Sequence, residues 1–74
     1  MNNQKQVVHY SCEPNFYMYG GAEIADVIPL DHPDTRNVTN GKVAHTSTVI
    51  SKVVIDNQCL QFETKNTIYI RKVD

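Results

Sequence analysis

Between Lys42 and Val73 the chain runs KVAHTSTVISKVVIDNQCLQFETKNTIYIRKV, with apolar and polar positions exchanging at a period close to two. Val, Ile, Thr, Phe and Tyr dominate this stretch, the residue types that suit a pleated, half-buried surface. The pattern predicts strands over Lys42 to Thr46, Val49 to Ile55, Cys59 to Thr64 and Thr67 to Val73, broken by turn-formers at Asp56, Asn57 and Asn66. Alternation puts Val49, Ser51, Val53 and Ile55 on one face and Ile50 and Val54 on the other. In the last pair of strands Leu60, Phe62 and Thr64 are expected to point inward opposite Cys59, Gln61 and Glu63. Ile68 and Ile70 are expected to join that inward set, with Tyr69 and Arg71 pointing outward around a hairpin turn at Lys65-Asn66.

The first half is less regular. Gln6 to Tyr10 predicts a short strand, Ser-Cys-Glu-Pro-Asn at 11–15 a turn or loop, and Phe16 to Tyr19 a compact aromatic run. Gly20-Gly21 is the clearest turn signal, because glycine accepts the positive φ angles of two-residue hairpin turns. AEIADVIPL after it reads as a strand with Ile24, Asp26 and Ile28 on one face; a helix there would be stopped by Pro29 after barely two turns. Leu30 to Gly41, with Pro33, Gly41 and several Asp and Asn residues, predicts a surface loop. Five to seven short strands in residues 1–74 predict a single all-β domain, a small antiparallel barrel or a two-layer sandwich.

At 74 residues, a lone hydrophobic core supplies only a few kcal/mol of net stability, so self-association as a homo-oligomer is expected. No apolar run approaches the ~20 residues that cross a bilayer, and the N-terminal residues lack the apolar segment of a secretory leader. A cytoplasmic, membrane-free location with Cys12 and Cys59 reduced is the corresponding expectation. The formal charge of −1 conceals a split. Residues 1–34 carry Lys5 against Glu13, Glu23, Asp26, Asp31 and Asp34, whereas residues 35–74 carry six basic against three acidic side chains. Such a division predicts complementary faces within the fold or between subunits, and it disfavours DNA binding by counterion release.

No catalytic constellation stands out. His45-Thr46-Ser47-Thr48 interrupts the apolar block and offers an imidazole with several hydroxyls, although Ser and Thr at a bent strand commonly satisfy local backbone groups instead. Ser47 has no orienting acid or oxyanion donors in view, and neither cysteine has an activating neighbour. His9, His32 and His45 are scattered, with carboxylates beside only His32, so neither a metal site nor a cofactor is expected. Tyr69 and Arg71, with Lys72, could stack a base and meet a phosphate, but more often such residues simply keep an edge strand soluble.

The run HP at 32–33, TSTVI at 46–50 and FETKNTIY at 62–69 resembles a pattern found in small uncharacterised proteins of bacteriophages and prophages. The resemblance spans about residues 24–73. It implies a phage-encoded accessory protein with no catalytic residues to carry over.

Three functions are therefore weighed. The leading expectation is a non-enzymatic accessory protein that binds a host protein, through aromatic anchors among Phe16, Tyr17 and Tyr19. Next is an oligomer that sequesters a nucleotide second messenger between subunits through Thr46, Ser47, Thr48, Asn66 and Arg71. A single-stranded nucleic-acid binder using Tyr17, Tyr19, Tyr69, Lys52, Lys65, Arg71 and Lys72 ranks below both.

Overall fold

The computed structural model describes residues 5–72 and is built from strands alone. In chain order these are β1 (Gln6–Tyr19), β2 (Ala22–Pro29), β3 (Ala44–His45), β4 (Val49–Ile55), β5 (Gln58–Thr64) and β6 (Thr67–Arg71). They form one six-stranded sheet in the order β3-β2-β1-β6-β5-β4. The sheet curls until Lys52 of β4 reaches Glu23 of β2, giving a half-barrel with its core on the concave side. All pairings are antiparallel except β1 with β6, which is parallel and aligns Gln6 with Thr67 and Tyr10 with Arg71. The all-β expectation holds, and the parallel seam is the departure from a purely antiparallel arrangement. It joins the first strand to the last, where no hairpin turn dictates direction.

β1 is longer than the sequence suggests. Residues 11–15, expected as a turn, stay within the strand as a bulge. Between Ser11↔Ile28 and Asn15↔Asp26 the strand carries two more residues than β2, and Cys12 takes them up at φ 66°. A bulge bends its strand and sharpens the local twist. Here it allows one strand to serve β6 with its first half and β2 with its second. Pro14, which lacks a ladder donor, lies buried at the bend.

Gly20 and Gly21 both have positive φ, and their turn sets Tyr19 opposite Ala22 and Tyr17 opposite Ile24. Asp56 and Asn57 do the same between β4 and β5 at φ 53° and 64°. The strand expected over Lys42 to Thr46 is confined to Ala44–His45, since β2 offers that edge only Asp26 and Val27. Residues 30–43 form the expected loop, pinned by Leu30 N–H to the His9 carbonyl at 2.8 Å and Gly41 N–H to the Pro29 carbonyl at 2.7 Å. Val73, expected to end the last strand, lies outside the described residues.

The core comprises Val8, Tyr10, Ala25, Val27, Cys59, Phe62 and Tyr69, with Phe16 and Val49 packed against it. Phe62 is its centre, 5.4 Å from the Tyr10 ring, 5.2 Å from Phe16 in a T-shaped contact and 4.6 Å from Tyr69 in a stacked one. Tyr10 donates its hydroxyl proton to the Cys59 carbonyl at 2.7 Å, and burial is the main reason its phenol is pushed far above the usual range.

Three facing expectations are corrected. Val49 packs against the core and does not share a face with Ser51, Val53 and Ile55, because Ile50 is the extra residue of a bulge in β4. Tyr69 points inward at 6% exposure, while Ile68 and Ile70 are half-buried on the convex face. The reason is register: a two-residue turn at Lys65-Asn66 places Thr64 beside Thr67 and therefore Phe62 opposite Tyr69. Cys59 is buried and Leu60 only half-buried, because Leu60 is the extra residue of a bulge between the Val54↔Cys59 and Val53↔Gln61 pairs.

The charge division between the halves is answered inside the fold. Arg71 bonds Glu13 at 2.8 Å, Lys52 bonds Glu23 at 2.7 Å, and Lys5 pairs with Glu63. These partly exposed pairs contribute at most ~1 kcal/mol each, and each joins a residue of the first half to one of the second.

Candidate functional site

Alternation along the second half of β1 divides the aromatic run. Phe16 turns to the core, where the Lys52 ammonium sits 4.3 Å from its ring centroid. Tyr17 and Tyr19 turn to the convex face. Across the Gly20-Gly21 hairpin Ile24 stands opposite Tyr17, and one step further along β2 the same face carries Asp26. β3 then brings His45 beside Asp26 as its direct cross-strand partner.

The result is a polar cluster set in an aromatic surround. Tyr17 donates its hydroxyl proton to Asp26 Oδ1 at 2.9 Å, and His45 donates from Nδ1 to the same oxygen at 2.5 Å. The Tyr17 hydroxyl lies 3.3 Å from His45 Nδ1. The hydrogen bond from His45 holds the Asp26 carboxyl below its ordinary range, helped by Tyr17 and opposed by partial burial. Its counterpart is a Tyr17 phenol pushed up, first of all by the bond to Asp26.

With Nδ1 engaged, His45 keeps Nε2 as the nitrogen available to a ligand. Tyr17, Tyr19, Ile24 and His45 line a shallow depression of about 490 Å³, and Tyr19 stands at its rim with 72% of its surface exposed. Among the described residues His45 is held by Asp26 and Tyr17, and no serine, threonine or cysteine side chain hydrogen-bonds it.

The other sequence-derived candidates are distributed over the molecule. Thr46 is buried: its Oγ1 accepts from Ala25 N–H at 3.0 Å and donates to the Ser47 carbonyl at 2.9 Å, sealing the edge of β2. Ser47 and Thr48 are exposed in the β3–β4 connection. Asn66 lies in the β5–β6 turn, whereas Arg71 lies at the far end of β6, bonded to Glu13. Tyr69 is in the core. Within one protomer the hydroxyl run, Asn66 and Arg71 therefore do not converge, and Tyr69 does not share a surface with Tyr17 and Tyr19.

Ile24 and Asp26 belong to the site but were not singled out as site residues from the sequence. The signal was present: a two-residue glycine turn dictates Tyr17 opposite Ile24, and alternation then places Asp26 on the same face. Only the arrival of His45, set by β3, required the fold.

A second imidazole–carboxylate pair lies on the neighbouring convex surface. Asp31 accepts from the His9 backbone N–H at 2.7 Å and from His9 Nδ1 at 2.8 Å. The backbone bond is the chief reason its carboxyl lies below the usual range. This pair anchors the start of the long loop to β1. Cys12 and Cys59 are free thiols, and burial pushes the Cys59 thiol up, away from reactivity. No helix among the described residues is long and apolar enough to cross a membrane, and these residues hold no cluster of three or more His, Cys, Asp or Glu side chains able to ligate a metal.

Compared with known proteins, the chain matches no family model, no curated protein and no solved structure.

Proposed function

We propose that this chain is a non-enzymatic accessory protein of the phage type, which docks on a host protein in the cytoplasm through the convex face of β1, β2 and β3 and thereby inhibits or modulates it. The observation that carries this reading is Tyr19, 72% exposed at the rim of a depression whose other walls are Tyr17, Ile24 and His45. Large aromatic side chains in a surround that can be desolvated are the usual anchors of protein interfaces. Asp26 adds preorganisation: it holds both Tyr17 and His45, so little side-chain freedom remains to be lost on binding. The sequence likeness to phage and prophage proteins supports a host component as the partner.

A photo-crosslinking residue placed at Tyr19, with the protein expressed in bacterial cells, tests the reading. One saturable adduct is expected, competed by wild-type protein and much less by Tyr17→Ala. Capture that is non-saturable, or competed equally by wild type and Tyr17→Ala, overturns it.

A further inference from the structure

The two edges of the sheet differ. β3 is two residues long and offers little for another strand to pair with. β4 has seven residues, ends the sheet, and among the described residues has no strand hydrogen-bonded to its outer side. Ile50, Val53, Val54 and Ile55 are between 47% and 59% exposed. Sheet edges are normally guarded by proline, by free charge, by a bulge or by brevity, and the one bulge of β4 itself, at Ile50, lies before Ser51. β4 has no proline, and its single charge, Lys52, is neutralised by Glu23 of the same protomer.

We propose that β4 is a homodimer interface, in which two copies of the chain pair their β4 strands antiparallel about a two-fold axis through Val53. The occupant follows from the self-complementarity of the strand. From Ser51 to Ile55, between the bulge at Ile50 and the Asp56-Asn57 turn, β4 carries no extra residue of its own, the bulge opposite Val53 and Val54 belonging to β5 at Leu60, and Val53 is the midpoint of that stretch.

An axis at Val53 sets Val53 against its own copy and Ile55 against Ser51 on the convex face. On the concave side it sets Lys52 against Val54. An axis at Lys52 would pair Val54 with Ile50 and so run the pairing through the bulge. With the axis at Val53, the aliphatic stem of Lys52 covers Val54 of the other copy while its ammonium remains with Glu23. The convex cross-strand row Ile70, Gln61 and Val53 thereby continues into the second protomer, extending a sheet that one small chain leaves half open.

The surface is separate from the Tyr19 depression, so the two readings fail independently. In a Cys12→Ser background, Val53→Cys is expected to form a disulfide-linked dimer under mild oxidation, since residues facing each other across an antiparallel ladder have Cβ atoms ~5 Å apart. Lys52→Cys, which faces Val54, is expected to remain uncrosslinked. Light scattering of the unmodified protein should give the mass of a dimer. Val54→Lys, with unchanged circular dichroism, should give a monomer, and Tyr19→Ala should leave the dimer intact. A monomeric mass at every concentration, or crosslinking at Lys52→Cys as efficient as at Val53→Cys, overturns the proposal.

Discussion

Phe62 and Tyr69 stack across the β5–β6 hairpin with ring centroids 4.6 Å apart and planes 11° from parallel. Phe62 also meets Tyr10 and Phe16, so one side chain ties β1, β5 and β6 together. Removing such a ring costs about 3–5 kcal/mol, as much as a domain of this size has in reserve. Phe62→Ala is therefore expected to be unfolded at room temperature by circular dichroism. Phe62→Leu should fold, with a lowered urea midpoint.

The Tyr10 hydroxyl is a different case, because its proton goes to the buried Cys59 carbonyl. Tyr10→Phe keeps the ring packing and leaves that acceptor without this donor, at a cost of about 1–2 kcal/mol. Equilibrium urea unfolding should show a lower midpoint with an unchanged slope.

Gly21 tests backbone conformation free of packing. An added methyl there would meet nothing within 4 Å, but φ is +81°. Gly21→Ala is expected to lower stability by about 1–2 kcal/mol through strain alone, visible as a fall in thermal midpoint.

Much of this architecture was legible in the sequence, and the misses share a cause. Gly20-Gly21, Asp56-Asn57 and Lys65-Asn66 each mark a real hairpin because the turn conformation is a local property of those residues. Tyr69 was assigned to the wrong face because apolar alternation in Thr67 to Arg71 favours Ile68 and Ile70, whereas cross-strand register favours Tyr69 and is decided by the turn. The bulge at Cys12 defeated a strictly local reading of Pro14 as a strand end. The Tyr17, Ile24 and Asp26 face could be read from alternation and turn length. The addition of His45 could not, since β3 is fixed by only two pairings with β2.

The Asp26 cluster sets a pH dependence whose sign follows from its geometry. A carboxyl whose pKa falls on folding stabilises the protein above its unfolded value, about 3.9, and loses that contribution as pH drops through the lower folded value. His45 and Tyr17 lower the Asp26 carboxyl in this way. Wild type and Asp26→Asn should therefore differ in stability near neutral pH and converge in strong acid. For Tyr17 the direction reverses: its raised phenol adds stability below the usual tyrosine range and loses it as pH climbs through the folded value. In Asp26→Asn the Tyr17 phenolate should form at lower pH, measurable by ultraviolet absorbance.

The parallel seam between β1 and β6 governs the timetable of folding. Gln6 and Thr67, 61 positions apart, are bonded through their side chains and aligned in the ladder. Each hairpin can form by itself within microseconds, but the central ladder has to wait for nearly the whole polypeptide to loop back. A ribosome-bound chain that has not yet released β6 holds β1 without its inner neighbour, its Val8 and Tyr10 side chains uncovered. Assembly is consequently slow for so short a chain and completes only after synthesis has passed Arg71.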